Sequence, residues 1–160
     1  RSVYSGKLTY AENWDTYENV PFWSALDFIG IDAYFPISEK KTPTVAEAQD
    51  SWQPIRKSLK AFSESNDKQV IFTEFGYRSK DYAGKKPWDS NRKNGNSNQQ
   101  AQTNLLQANL QCFWEESWFA GGFLWKWFPV ENQYKERQRN RFSIQGKQAE
   151  EVVRKFYEQY

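Results

Sequence analysis

Residues 70–79 read VIFTEFGYRS. The opening residues are apolar, β-branched or aromatic, as suits a strand covered on both faces. The run then ends on one carboxylate, Glu74, beside a glycine and two aromatic rings. Such an acid is either half of a buried ion pair, with Arg78 or Lys126 as its partner, or a group with a chemical task. Three other segments share this character: KLTYAENW (7–14), FIGIDAYF (28–35) and GGFLWKWFP (121–129). All four carry few alternating polar residues, which points to parallel strands.

Helical patterns fill the gaps. The first connection, about 16–26, is short and carries Phe22, Trp23 and Leu26. The second begins at Thr44 with Glu47 three residues on, the capping-box spacing. Pro54 falls inside it, where a kink or restart is expected. A third helix is predicted over about 98–118, with Leu106, Leu110, Phe113 and Trp114 on one face. A fourth is predicted over about 146–160, with Ala149, Val152, Val153, Phe156 and Tyr160 in one stripe. Strand–helix repeated four times implies an α/β fold with a parallel sheet and right-handed crossovers. Both a doubly wound open sheet and a (βα)4 portion of a TIM (β/α)8 barrel satisfy that order. No G-x-G-x-x-G or G-K-[ST] follows any strand, so a nucleotide-binding turn is not indicated.

Composition narrows the chemistry. The 160 residues suffice for a single domain over 1–160. With 22 basic and 20 acidic residues, the net charge of +2 gives no electrostatic case for a nucleic-acid or membrane partner. There is no histidine, which removes the usual Ser-His and Cys-His schemes and the common zinc sites. No metal or organic cofactor is implied. The one cysteine, Cys112, sits in an apolar helical pattern and reads as a small core residue. It fits a cytoplasmic or a periplasmic protein equally well. No methionine occurs, so the chain is expected to be processed or a piece of something longer. Aromatic content is high, with 8 Trp, 9 Tyr and 12 Phe, which serves either a ring-filled core or a groove for sugars.

Strand parity places candidate groups. In 28–35, Ile29, Ile31, Ala33 and Phe35 share the face expected to meet helices. Gly30, Asp32 and Tyr34 share the other. Glu74 has the parity of Val70 and Phe72, and Trp125 that of Phe123 and Trp127. Each strand thus ends on polar or aromatic groups: Asn13 and Trp14, Asp32 and Tyr34, Glu74, then Trp125 and Trp127. The polar segment 79–98 leaves the end of the third strand and adds Trp88. Long loops at this end of a barrel carry function. A carboxylate ringed by tryptophan and tyrosine suits a nucleophile at an anomeric carbon. For Asp32, a supporting hydrogen bond is the alternative, and for Trp14 and Trp127, core packing.

The stretches LTYAENWDTYENVPFWSALDFIGIDAYFPIS, VIFTEFGYRS, GGFLWKWFP and FSIQGKQAEEVVRKFY together resemble the second half of a clan-A retaining glycoside hydrolase, most closely the family 113 β-mannanases. The resemblance covers nearly the whole chain and implies the fifth to eighth strands of a (β/α)8 barrel, with the first half absent. It implies Glu74 as nucleophile, Tyr34 as its contact and Trp125 at the −1 sugar subsite. Asn13, Trp14, Asp32, Trp88 and Trp127 are expected to face substrate, a β-1,4-linked mannan or related oligosaccharide or polysaccharide. The family's acid/base glutamate ends the fourth strand, ahead of this sequence. Glu12, in AENWD, lies in the wrong order for it and reads as a loop charge. The chain alone is therefore expected to be inactive or nearly so. Its outer strands would be open edges, inviting an edge-to-edge homodimer or a complementing N-terminal half. A carbohydrate-binding module, a structural barrel remnant and a β-glucanase specificity are the rival expectations.

Overall fold

Phe72 sits at the centre of the molecule, its ring 5.0 Å from Phe113 and 4.8 Å from Phe119. Around it the computed structural model, which describes residues 2–91, 95–129 and 140–159, builds a four-stranded sheet. Its strands are β1 (Ala11–Asn13), β2 (Ile29–Asp32), β3 (Val70–Phe75) and β4 (Phe119–Leu124), in the order β1-β2-β3-β4. All three pairings are parallel. Helix α1 (Val45–Asn66) joins β2 to β3, α2 (Gln99–Phe113) joins β3 to β4, and α3 (Gln148–Tyr157) follows β4. This is the parallel sheet-and-helix arrangement expected of a barrel portion. The paired segments are shorter than the apolar runs that announced them. Trp14, Tyr34, Trp125 and Trp127 all lie beyond the last paired residue of their strands, which is where a barrel presents its chemistry.

Two expectations about the connections are corrected. The first connection holds two 3-10 turns, Tyr17–Asn19 and Trp23–Ala25, in place of an α-helix. Its few residues include Pro21 and offer no long apolar face. Tyr17 and Trp23 fill the helix layer instead, with the Trp23 indole donating to the Tyr17 carbonyl at 2.8 Å. The second correction concerns Pro54, which breaks nothing: α1 runs through it for 22 residues. An interior proline costs on the order of 3 kcal/mol. Burial offsets this on both sides of it. Trp52 and Leu59 are fully buried, and burying each such side chain stabilises by roughly 1.5–3 kcal/mol.

The capping box forms as the spacing predicts. Thr44 Oγ1 accepts from the Glu47 amide at 3.2 Å, and Glu47 Oε2 accepts from the Thr44 amide at 2.9 Å. Helix α2 starts at Asn98, whose side chain accepts from the Ala101 amide. It buries Leu106, Leu110 and Phe113, as well as Cys112, whose thiol is pushed to higher pKa by burial. On α3, Ala149 and Val153 are buried and Phe156 packs against the core; Tyr160 lies outside the described residues.

The segment 79–98 is a strap. Leaving β3, it pairs Lys80 with Ser97 as an antiparallel bridge. It then crosses the loop that follows β2. There the Ile37 and Ser38 amides both donate to the Gly84 carbonyl, at 2.9 and 3.2 Å, and the Tyr82 amide donates to the Lys41 carbonyl at 3.0 Å. It reaches the end of β1, where the Trp88 ring stacks on Trp14.

Candidate active site

Glu74 reaches the cleft through an irregularity in its strand. Ile31 pairs with Phe72 and Asp32 with Glu74, so β3 has one residue, Thr73, more than β2 over this step. The pairing of β3 with β4 shifts over the same residues. The burial pattern shows the effect: Val70, Phe72 and Phe75 are fully buried, while Thr73 and Glu74 are half-buried. Simple alternation puts Glu74 with Val70 and Phe72. The bulge moves Phe75 into that set, against Phe72 and Trp114, and releases Glu74 to the other face. No feature of composition marks this extra residue, and parity alone misplaces it.

There the Tyr34 hydroxyl donates to Glu74 Oε2 at 2.7 Å. Burial, and next this bond, push the Tyr34 hydroxyl well above its ordinary pKa, so it remains a proton donor. The Phe142 ring meets Tyr34 edge-on at 6.1 Å and shields it, a contact for which the sequence held no signal. Asp32, on the neighbouring strand, accepts from Thr73 Oγ1 at 2.8 Å. The bulge residue is thus held by the acid beside the one it releases. Glu74 forms no ion pair with Arg78 or Lys126 among the described residues. Lys126 instead lies 5.1 Å from the Trp125 ring centroid and 4.7 Å from that of Phe128.

Trp125 is brought in by backbone. Its amide donates to the Phe75 carbonyl at 2.7 Å, directly after Glu74. Gly76 allows this approach, because a Cβ there would overlap the Trp125 carbonyl oxygen. Trp127 is placed elsewhere: with Leu124, Ile144, Val153 and Tyr157 it lines a groove between the end of β4 and α3. Asn13 is exposed at the end of β1. Glu12 accepts from the Asn13 amide and the Thr16 hydroxyl, as a turn charge does. Trp14 is packed between Phe35, at 5.7 Å, and Trp88, at 5.3 Å and 23°.

Arg78 was not among the residues the sequence singled out as functional. Its guanidinium is buried and donates to the carbonyls of Asp89, Asn91 and Asn140. It thereby ties the strap to the segment after β4. Among the described residues no cluster of acids or cysteine is arranged to hold a metal, and no helix is long and apolar enough to cross a membrane.

The model of Glycoside Hydrolase Family 113 matches residues 1–147. Among solved structures, the family 113 β-mannanase of Alicyclobacillus acidocaldarius, in complex with ManMIm, matches with a TM-score of 0.81 at 30% identity. The match covers 98% of this chain and 47% of that one. Another, described as a complex of a family 113 β-1,4-mannanase, gives 0.80 at 24% identity, over 97% and 46% of the two chains. The β-glucuronidase of Ruminococcus gnavus gives 0.61 at 17% identity over 96% and 26%, a likeness of fold alone. The chain spans about half the length of the mannanases it matches. No curated protein matches it.

Proposed function

Because the chain belongs to glycoside hydrolase family 113, we propose that it carries the nucleophile side of a retaining β-mannanase active site, with Glu74 as the nucleophile. The observation that carries this reading is the Tyr34–Glu74 hydrogen bond at the carboxyl end of a parallel sheet. Tyr34 occupies one carboxylate oxygen and leaves the other to attack. Glu74 Oε1 forms a bond to the anomeric carbon as the glycosidic carbon–oxygen bond breaks, and an acid group protonates the leaving oxygen. Water, deprotonated by that same group, then displaces Glu74 and restores the carboxylate.

Tyr34 fits the first step because burial keeps its hydroxyl protonated, so that it donates to Glu74 Oε2 and fixes the orientation of the carboxyl group. Retaining chemistry requires a second carboxyl group roughly 5–5.5 Å from the first. Asp32 has one oxygen engaged by Thr73. On this reading the acid/base comes from the half of the barrel that the solved mannanases have in addition. This chain alone is then inactive or nearly so. Trp125, held against the residues that follow Glu74, supports the apolar face of the sugar under attack.

The test is intact mass after incubation with a 2-fluoro-mannosyl inactivator, on this chain and on a version completed with the additional half-barrel. The completed version is expected to gain one sugar and to lose that gain with Glu74→Gln. Labelling by the gluco reagent alone would keep the nucleophile and replace the mannan assignment with a glucan one. No labelling by either reagent overturns the enzyme reading in favour of a binding module or remnant.

A further inference from the structure

We propose that Phe142 is a positioning residue that keeps the Tyr34 hydroxyl on Glu74, and that Gln102, buried in α2, sets Phe142 in place. The consequence for glycosyl transfer rests on the glycosidase reading above; the positioning itself does not. Tyr34 lies beyond the paired residues of β2, its amide donating to the Asp32 carbonyl at 2.9 Å. Packing of the side chain therefore decides where its ring points. Among the described residues, the ring in contact with it is Phe142, edge-on at 6.1 Å and 69°, a geometry that aromatic pairs favour. The Tyr34 ring can swing away from Glu74 only into space that a neighbour leaves open, and Phe142 fills that space on one side.

Phe142 is itself held through its backbone. The carbonyls of residues 141–143 are each met by a buried donor. Gln102, fully buried, donates from Nε2 to the Phe142 carbonyl at 3.0 Å, the Arg141 carbonyl at 3.2 Å and the Tyr77 carbonyl at 2.8 Å. Lys147, 5% exposed, donates from Nζ to the Arg141 carbonyl at 3.1 Å and the Ser143 carbonyl at 2.5 Å. The Ser79 amide adds a bond to the Arg141 carbonyl at 3.0 Å. One amide group thus ties the exit of β3, which carries Glu74, to the residue whose ring faces Tyr34.

The choice of Gln102 is informative. Its neighbours on α2, Leu105 and Leu106, are fully buried and apolar, and a leucine at 102 would fill the position without burying a polar group. Gln102 Oε1 has no partner among the described residues. A buried amide with one end unsatisfied is destabilising unless its other end is well used, and here that end gathers three carbonyls. Each link from Gln102 to Phe142, to Tyr34 and to Glu74 is a direct contact. Phe142 stays half-buried, which makes its truncation a test of position rather than of folding.

The experiment is nuclear magnetic resonance of this chain at neutral pH, with tyrosine isotope-labelled at the hydroxyl-bearing ring carbon. The Tyr34 signal, assigned by its loss in Tyr34→Phe, is compared with and without Glu74→Gln in the parent, Phe142→Ala, Phe142→Leu and Gln102→Met. Tyr17, whose hydroxyl donates to Glu18 at 3.1 Å, reports that the fold is kept. Glu74→Gln is expected to shift the Tyr34 signal in the parent, because an amide replaces the carboxyl acceptor. In Phe142→Ala that shift is expected to fall to less than about half, as contact and bond are coupled. Phe142→Leu should restore part of it, and Gln102→Met, which keeps the volume and removes the donors, should reduce it. An undiminished shift in Phe142→Ala overturns the proposal, and one in Gln102→Met overturns the part assigned to Gln102. If Phe142→Ala loses the Tyr17 signal, Phe142→Leu decides in its place by the same criterion. In the completed version, Phe142→Ala is expected to slow labelling about tenfold at saturating inactivator, with the half-saturating concentration unchanged, and to add nothing to Tyr34→Phe. A raised half-saturating concentration at unchanged rate would make Phe142 a binding contact and overturn its positioning role. Absence of labelling in the completed parent overturns the glycosidase reading, while the Tyr34 signal still decides the positioning.

Discussion

Tyr34 and Glu74 lie 40 residues apart and meet through one hydrogen bond of 2.7 Å. A bond of this kind to a charged group contributes about 1.5–3 kcal/mol. In the completed enzyme, Tyr34→Phe is therefore expected to slow glycosyl labelling of Glu74 by about 10- to 100-fold. The melting temperature should fall by only a few degrees, because the bond is lost from the folded state while the ring and its contact with Phe142 are kept. Stopped-flow mass measurement against the parent checks this. Asp89 gives a prediction in pH. The Lys80 ammonium, and next the Asn91 amide, hold its carboxyl below the ordinary range. A lowered folded-state pKa stabilises above the ordinary value of about 3.9 and loses that contribution as pH falls through the lowered one. The strap should stay closed down to about pH 4 and loosen below it, seen as a change in Trp88 emission that Asp89→Asn removes. At this scale the sequence was legible where chemistry marks a residue. The acid ending an apolar run and the tyrosine ending the preceding strand were both visible. The side on which Glu74 emerges was not, since it depends on Thr73 adding one residue to the pairing.

At the scale of elements, the parallel strands and the Thr44–Glu47 start of α1 follow from pattern and capping chemistry. The first connection did not, because aromatic side chains in two 3-10 turns replace a helix there. Nor did the uninterrupted passage of α1 through Pro54, because burial of Trp52 and Leu59 outweighs a local penalty. The meeting of β3 and β4 depends on a glycine. Gly76→Ala would drive a methyl group into the Trp125 carbonyl. The expected cost is about 1–3 kcal/mol, together with displacement of Trp125 from the Phe75 carbonyl. Chemical denaturation reads the first and Trp125 fluorescence the second.

For the whole molecule, the sheet decides behaviour in solution. β1 and β4 are each paired on one side only among the described residues. Close to them, Tyr10 and Phe22 on one side, and Phe123, Trp127 and Tyr157 on the other, are large and exposed. Parallel edges with apolar flanks invite a further strand. Sedimentation equilibrium at micromolar concentration is expected to give an average mass above that of one chain, rising with concentration. Addition of the separately produced other half-barrel should replace this self-association with a one-to-one complex. A strictly monomeric chain would mean that the edges are blunted by their own side chains.

The two stacked indoles have a use unconnected with sugar. Rings 5.3 Å apart and 23° from parallel couple their electronic transitions, and coupled indoles give a paired positive and negative circular-dichroism band that single tryptophans lack. Trp14 and Trp88 belong to segments more than seventy residues apart, so the band exists only while the strap spans the sheet. The protein thus carries an intrinsic optical gauge of its own closure, readable without a label and silent in Trp14→Phe or Trp88→Phe.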